Sequence, residues 1–243
     1  MARAPKVAKV LRALLPTRKE DRDEAVINEE DVNPRVLKIV CDGLLAGQVG
    51  IIPTETVYGL MGDAGNDAVI ERIYAIKERD RDKPLPVQVF RFSDVAALGV
   101  SCNASAELLA RNFWPGPLTL VLPFLGAAHC RVNIAPTLLR QWEEAKTVAV
   151  RIPEHTVTRM VLETVRIPLV ATSANISGQE PITRLSQLDE TLPRKVDWIV
   201  DGGTTVFGRE STVVRCDEEG WRILREGALR GVILQKAFGA ARG

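Results

Sequence analysis

The stretch Ile51-Ile52-Pro53-Thr54-Glu55-Thr56-Val57-Tyr58-Gly59-Leu60 constrains this chain more than any other. An apolar strand pattern stops at a proline, presents two threonines, a glutamate and a tyrosine, and turns at a glycine. An apolar run that ends in clustered hydroxyls reads as a strand delivering polar groups to a pocket at its end. Alone, the stretch reads more readily as an edge strand whose threonines only satisfy backbone groups in a turn. Similar clusters at other element ends favour the pocket: Lys77/Arg79/Lys83, Thr172/Ser173/Asn175, and Ser211/Thr212 with Arg225 beyond.

Helical and strand patterns alternate around these clusters. Asn33-Pro34 opens a helix with Val36, Leu37, Ile39, Val40, Leu44 and Leu45 on its apolar stripe and Gly47 at its end. A strand over 49–53 follows. Gly59, Gly62 and Gly65 read as a flexible connection, and Asn66-Asp67 caps a second helix carrying Val69, Ile70, Ile73, Tyr74 and Ile76. Further strands are expected over 85–90, 118–123, 147–152, 168–171, 197–200, 212–215 and 221–224, the last two joined by a hairpin at Glu218-Glu219-Gly220. Helices are expected near Ser93-Asp94 and over 105–114, 136–142, 154–165 and 228–238. Trp114-Pro115-Gly116-Pro117 reads as a rigid helix stop with an aromatic anchor. Early alternation with a late cluster of strands argues for one α/β domain with a mixed sheet over 33–243. Residues 1–32, basic and acid-free to residue 19 and then acidic, read as a charged N-terminal extension outside that domain. A tRNA-touching arm and an organelle presequence are sharper readings, the latter lacking the usual serine enrichment.

Composition excludes several classes. The net charge of +1 gives no basic field that compels nucleic-acid binding. None of the four cysteines, Cys41, Cys102, Cys130 and Cys216, sits in a CxxC pair, and His129 and His155 are the only histidines. A structural zinc site and a disulfide framework are therefore not expected, and a reducing, cytoplasmic location fits. No apolar run reaches the ~18 residues of a membrane span, so no membrane contact is expected. No GxGxxG fingerprint and no GxxxxGK[ST] loop occur. The four clusters offer cations and neutral donors, few carboxylates, and no His or Cys nucleophile. Arginine forks suit phosphate and carboxylate, so the inventory suits a ligand bearing both. It does not suit a Ser-His-Asp hydrolase.

Pro53-Thr-Glu-Thr-Val-Tyr-Gly-Leu60, Lys77-x-Arg79 with Lys83-Pro-Leu85, Phe113-Trp-Pro-Gly-Pro-Leu-Thr119, Val150-Arg-Ile-Pro153, Ala171-Thr-Ser-Ala-Asn-Ile-Ser-Gly178, Ser211-Thr-Val-Val214 and Ile223-Leu-Arg225 occur in that order. With these motifs the chain, over roughly 34–232, resembles the YrdC family, the threonylcarbamoyl-AMP synthases of tRNA modification, in its single-domain form. The resemblance implies a twisted mixed sheet with flanking helices around a concave basic pocket. It implies that L-threonine, bicarbonate and ATP give threonylcarbamoyl-AMP and pyrophosphate, and that a partner transferase complex moves the group to tRNA. Magnesium would arrive with ATP, and no protein metal site is implied.

The resemblance also implies roles. Lys77, Arg79, Ser173 and Asn175 form a catalytic tetrad. Thr54, Thr56, Tyr58, Thr172 and Ser211 contact threonine. Arg79, Lys83, Thr119, Arg151, Ser173 and Arg225 hold ATP. Three departures stand out. Glu78 and Asp80 flank Arg79 and are expected to weaken the local positive potential. Gln88 stands where many relatives carry histidine, and Glu210 where proline commonly precedes Ser-Thr. Two alternatives remain: a non-catalytic RNA-binding module using the same concave surface, against which the 5% aromatic content argues, and a carbamoyl-adenylate enzyme of metal-centre maturation, whose zinc-finger-like cysteines are missing.

Overall fold

A computed structural model describes residues 8–12 and 32–240. Asn33 opens the first long helix as its position predicts. Its Oδ1 accepts from Arg35 N at 3.0 Å, and Pro34 occupies the first helical position, where no N–H is needed. Asn66 does the same for the second, with Oδ1 accepting from Ala68 N and Val69 N. In chain order the elements are β1 (Lys9–Arg12), α1 (Pro34–Leu45), β2 (Gly50–Ile52), β3 (Gly59–Asp63), α2 (Asp67–Lys77), β4 (Val87–Gln88), α3 (Phe92–Val95), α4 (Ala104–Phe113) and β5 (Leu118–Pro123). They continue with α5 (Pro136–Ala145), β6 (Thr147–Arg151), α6 (Thr156–Val165), β7 (Leu169–Ser173), α7 (Leu192–Lys195), β8 (Trp198–Asp201), β9 (Thr212–Asp217), β10 (Gly220–Arg225) and α8 (Gly231–Ala240).

The strands form one mixed sheet in the order β1-β8-β2-β3-β7-β4-β6-β5-β9-β10. The pairs β1/β8, β2/β8, β4/β6 and β5/β9 are parallel; the other five are antiparallel. Two expectations are corrected here. The glycine-rich stretch after Tyr58 is not a flexible connection: β3 is an inner strand, paired with β2 and β7. Its Gly62 reflects close approach, since a Cβ there would stand 2.4 Å from Val69 Cγ1 on α2. The charged extension is not wholly outside the domain either. Lys9–Arg12 pairs with β8 as an edge strand, and Leu11 and Val32 are buried. Residues 1–7 and 13–31 lie outside the described residues.

Strand alternation divides the apolar residues between two faces. On one face Leu60, Val87, Leu120, Val150 and Val170 pack with Ile70 and Ile73 of α2, Leu109 of α4, and Leu138 and Trp142 of α5. On the other, Ile52, Met61, Leu169 and Ala171 pack with Val36, Val40 and Leu44 of α1 and Val157, Val161 and Leu162 of α6. Each fully buried Leu or Ile contributes roughly 1.5–3 kcal/mol. Helices α1 and α6 cover only part of that second face, toward β2, β3, β7 and β8. Past β4 it carries polar side chains instead, and this uncovered part is the floor of a cleft.

Candidate active site

The cleft floor is one row of the sheet. Register pairs Gln88 with Arg151, Arg151 with Thr119, and Thr119 with Val213, so β4, β6, β5 and β9 each present one side chain in line. All four line a cavity of about 280 Å³ whose walls include Thr54, Thr56, Tyr58, Arg79, Thr172, Ser173, Glu210, Ser211 and Arg225. Neighbouring positions Val87, Val150, Leu120 and Val214 point into the opposite core. Period-two alternation thus separates cleft from core residue by residue.

One wall is the turn after β2. Thr158 Oγ1 of α6 donates to Pro53 O, satisfying a carbonyl that the strand has left behind. Thr54 Oγ1 donates to Val57 O at 2.6 Å and accepts from Thr56 N and Val57 N. A hydroxyl has one proton, so in the 2.8 Å contact between Thr54 Oγ1 and Thr56 Oγ1 the donor is Thr56. Thr56 therefore keeps acceptor lone pairs, whereas Thr54 serves the turn. Tyr58 donates to Gly203 O and accepts from Gly202 N, and burial pushes its phenol up to about 12. Its hydroxyl holds the loop after β8. Gln88 is buried and its Oε1 has no hydrogen-bond partner. Thr119 Oγ1 and Ser211 Oγ lie 2.8 Å apart across β5 and β9.

Three arginines supply positive charge, each held differently. Arg79 donates Nε to Lys83 O and Nη2 to Pro84 O, with the Tyr74 hydroxyl beside the remaining N–H groups. Arg151 pairs with Glu55 Oε1 at 2.6 Å in a buried bridge and donates Nε to Gly116 O, in the turn after α4. Arg225 bonds Glu210 Oε2 at 2.8 Å and Ser211 O at 3.0 Å. Glu210 is the one acid in the lining among the described residues. Glu78 and Asp80, expected to oppose Arg79, are not in the lining: Glu78 meets Lys195, whereas Asp80, which accepts from Asp82 N, does act on the Arg79 charge as expected.

Other expected site residues stand behind the wall. Lys77 is 2% exposed. Its Nζ donates to Ser173 O, Asn175 O and Asn175 Oδ1 at 2.5, 2.8 and 3.0 Å, which engages all three N–H groups. Burial, and then Arg79, push its ammonium down to about 8. Asn175 Nδ2 in turn donates to Gln179 O. Neither Lys77 nor Asn175 lines the cavity; together they fix the turn that presents Ser173. Lys83 is exposed and outside the lining, and its carbonyl rather than its ammonium serves the site by holding Arg79. The chain separates Lys77 from Arg79 at Glu78, whose φ of 51° is left-handed and ends α2. Glu55, Pro84, Ala171 and Val213 lie within the motifs without an assigned role, and Pro86 and Ala149 lie outside them, although strand register finds Ala149.

Residues 42–227 match the family model Sua5_yciO_yrdC, described as "Telomere recombination". The threonylcarbamoyl-AMP synthase of Pyrococcus abyssi (strain GE5 / Orsay) is 35% identical over 218 residues, covering 89% of this chain and 62% of that protein. The threonylcarbamoyl-AMP synthase of Vibrio vulnificus (strain YJ016) is 35% identical over 193 residues, covering 79% of this chain and 98% of that protein. A crystal structure of P. abyssi Sua5 complexed with L-threonine superposes with a TM-score of 0.78 at 32% identity, covering 96% of this chain and 61% of that one. The chain thus spans 62% of the P. abyssi synthase and 54% of the Bacillus subtilis one. The match over 42–227, the identities and the superposition show that this chain belongs to the Sua5/YciO/YrdC family.

Proposed function

We propose that this chain makes threonylcarbamoyl-AMP from L-threonine, bicarbonate and ATP, releasing pyrophosphate, and that a partner transferase passes the threonylcarbamoyl group to tRNA. One observation carries the reading: acceptors at Thr56 on the wall and Gln88 on the floor share a cavity with Arg79, Arg151 and Arg225. The names of the relatives and the threonine in the P. abyssi structure support it.

The unpartnered Gln88 Oε1 and the lone pairs of Thr56 suit the ammonium or hydroxyl of threonine. Leaving a buried acceptor unpaired costs about 1–3 kcal/mol, which a bound ammonium relieves. The amine of threonine adds to bicarbonate with loss of water and gives a carbamate. A carbamate oxygen then forms a bond to the α-phosphorus of ATP as the bond to pyrophosphate breaks. No protein nucleophile is required, so the chain's contribution is positioning and charge neutralisation. Arg79 and Arg225 face the phosphates, and Ser173, Thr119 and Ser211 offer hydroxyls. Magnesium bound with ATP would neutralise further phosphate charge. With Glu210 as the one lining carboxylate, itself bonded to Arg225, this donor set fits a metal held chiefly by the nucleotide.

The test is incubation of the purified chain with ATP, magnesium, bicarbonate and labelled threonine. Bicarbonate-dependent appearance of labelled adenylate and pyrophosphate is the expected result. Absence of adenylate from a folded chain that binds threonine would overturn the reading.

A further inference from the structure

A second recess, of about 450 Å³, lies just past the C-terminal ends of the parallel strands β4 and β6. Open α/β sheets place ligands in this position. It is separate from the cleft: none of its lining residues is shared. Phe90, Phe92 and Trp114 supply its aromatic surface, and Arg91, Arg111 and Arg159 its charge, against the single acid Glu107. Phe92 is 43% exposed, and its ring stands 6.3 Å from that of Trp114 at 52°, a tilted pair that leaves one face of Phe92 toward solvent. The Trp114 indole is held by its Nε1 donating to Leu118 O at 2.7 Å. Arg159 lies over the Phe90 ring at 4.9 Å, and its Nη1 is buried with no hydrogen-bond partner. The Arg111 side chain makes no hydrogen bond or ion pair among the described residues, whereas Arg91 is engaged by Asp94.

Rigid aromatic faces beside uncommitted guanidinium groups match a ligand that is flat at one end and anionic at the other. We propose that this recess binds one nucleotide, its base against Phe92 and Trp114 and its phosphate on Arg111 and Arg159. Aromatic faces stack on any base, and arginine supplies the fork for phosphate. The proposal is independent of the chemistry assigned to the cleft.

The indole N–H resonance of Trp114, identified by its loss in Trp114→Phe, is the site's own reporter. It is followed in the full chain, and in an Arg79→Ala chain whose change lies only in the cleft, while AMP, a short single-stranded RNA or inorganic phosphate is added; the same shift in both chains assigns it to the recess. AMP and RNA should each shift the resonance in a saturable way if a free nucleotide is accepted; RNA alone should if the nucleotide is read within a strand. Phe92→Ala with Arg111→Ala, both at exposed positions, should weaken that binding at least about tenfold. Their retained circular dichroism spectrum and melting temperature show that the fold is intact. No shift with either nucleotide probe, an equal shift with phosphate alone, or unchanged affinity in the double variant would overturn the proposal.

Discussion

Lys77 and Arg79 lie two residues apart in the chain and serve different layers of the molecule. Lys77 is in a layer behind the cleft, with every N–H of its ammonium on a carbonyl or amide oxygen of the Ser173–Asn175 turn. Arg79 is in the wall, anchored by two carbonyls with the Tyr74 hydroxyl and the Glu210 carboxylate also acting on its fork. Glu55 and Arg151 extend the contrast: Glu55 stands behind, Arg151 lines the cavity, and a buried bridge joins them. The layers differ less in residue type than in how many hydrogen bonds are already made. Lys77, with none to offer, holds the fold, and groups with some to offer toward the cavity can hold a ligand; Glu55 Oε2 is buried without a partner, so Glu55 stands behind the wall by burial rather than by full engagement. Substitutions should therefore separate into losses of stability and losses of rate.

The largest effect belongs behind the wall. Glu55→Ala leaves Arg151 buried without its carboxylate, and breaking one side of such a pair costs about 3–5 kcal/mol. Urea denaturation should show this drop with the slope unchanged. A loss under about 1 kcal/mol, the range of exposed pairs, would place Glu55 and Arg151 in solvent contact and erase the distinction between layers.

Next in size is Lys77→Met, which strands three acceptors of the turn behind Ser173. One buried acceptor left unpaired costs about 1–3 kcal/mol, and the turn can rotate part of this set toward water. Its pH signature has a definite sign. The folded-state pKa, about 8, lies below the ordinary 10.5, so between these values the unfolded chain binds more protons than the folded one. Stability contributed by Lys77 therefore rises with pH across that window, and Lys77→Met should abolish the rise. An unaltered pH profile in the variant would mean that Lys77 is solvated.

Arg79→Ala should do the reverse. In the proposed reaction kcat/KM should fall at least ~10-fold, equivalent to roughly 1.4 kcal/mol of transition-state stabilisation, while unfolding free energy changes by less than about 0.5 kcal/mol. Arg79→Lys should recover little, because a point charge cannot grip two carbonyls and still present a fork. Wild-type turnover in Arg79→Ala would remove it from the wall.

The contrast also explains what the sequence could tell. Asn33-Pro34 and Asn66-Asp67 were legible as helix starts because a cap is a local bond between neighbours in the chain. Strands over 118–123 and 147–152 were legible because their alternation is local too. The strand at Gly59–Asp63 was not, since its glycines answer to Val69 on a helix packed above them. The residue types of the site were readable at Thr56, Arg79, Ser173 and Ser211. Which groups are already engaged was not: the partners of Lys77 lie about a hundred residues away, and those of Tyr58 beyond that. Gln88 has the weakest local signal of the lining polar residues, and only its register beside Arg151 puts it on the cleft floor.

The smallest effect tests whether engagement alone separates the layers. Glu210 is bonded to Arg225 as Glu55 is to Arg151, but side-chain exposures are 45% and 34% for the Arg225–Glu210 pair against 8% and 6% for the Arg151–Glu55 pair. A solvated pair is worth about 0–1 kcal/mol, so an incoming phosphate can displace Glu210 from Arg225 at little cost. Glu210→Gln should then lower the KM for ATP by about 2–5-fold, within that energy range, with kcat unchanged and the gain shrinking as salt screens it. A KM that instead rises, with a steeper dependence on magnesium, would make Glu210 a metal ligand. Burial of the pair, rather than the presence of a partner, then ceases to be the property that divides the scaffold from the wall.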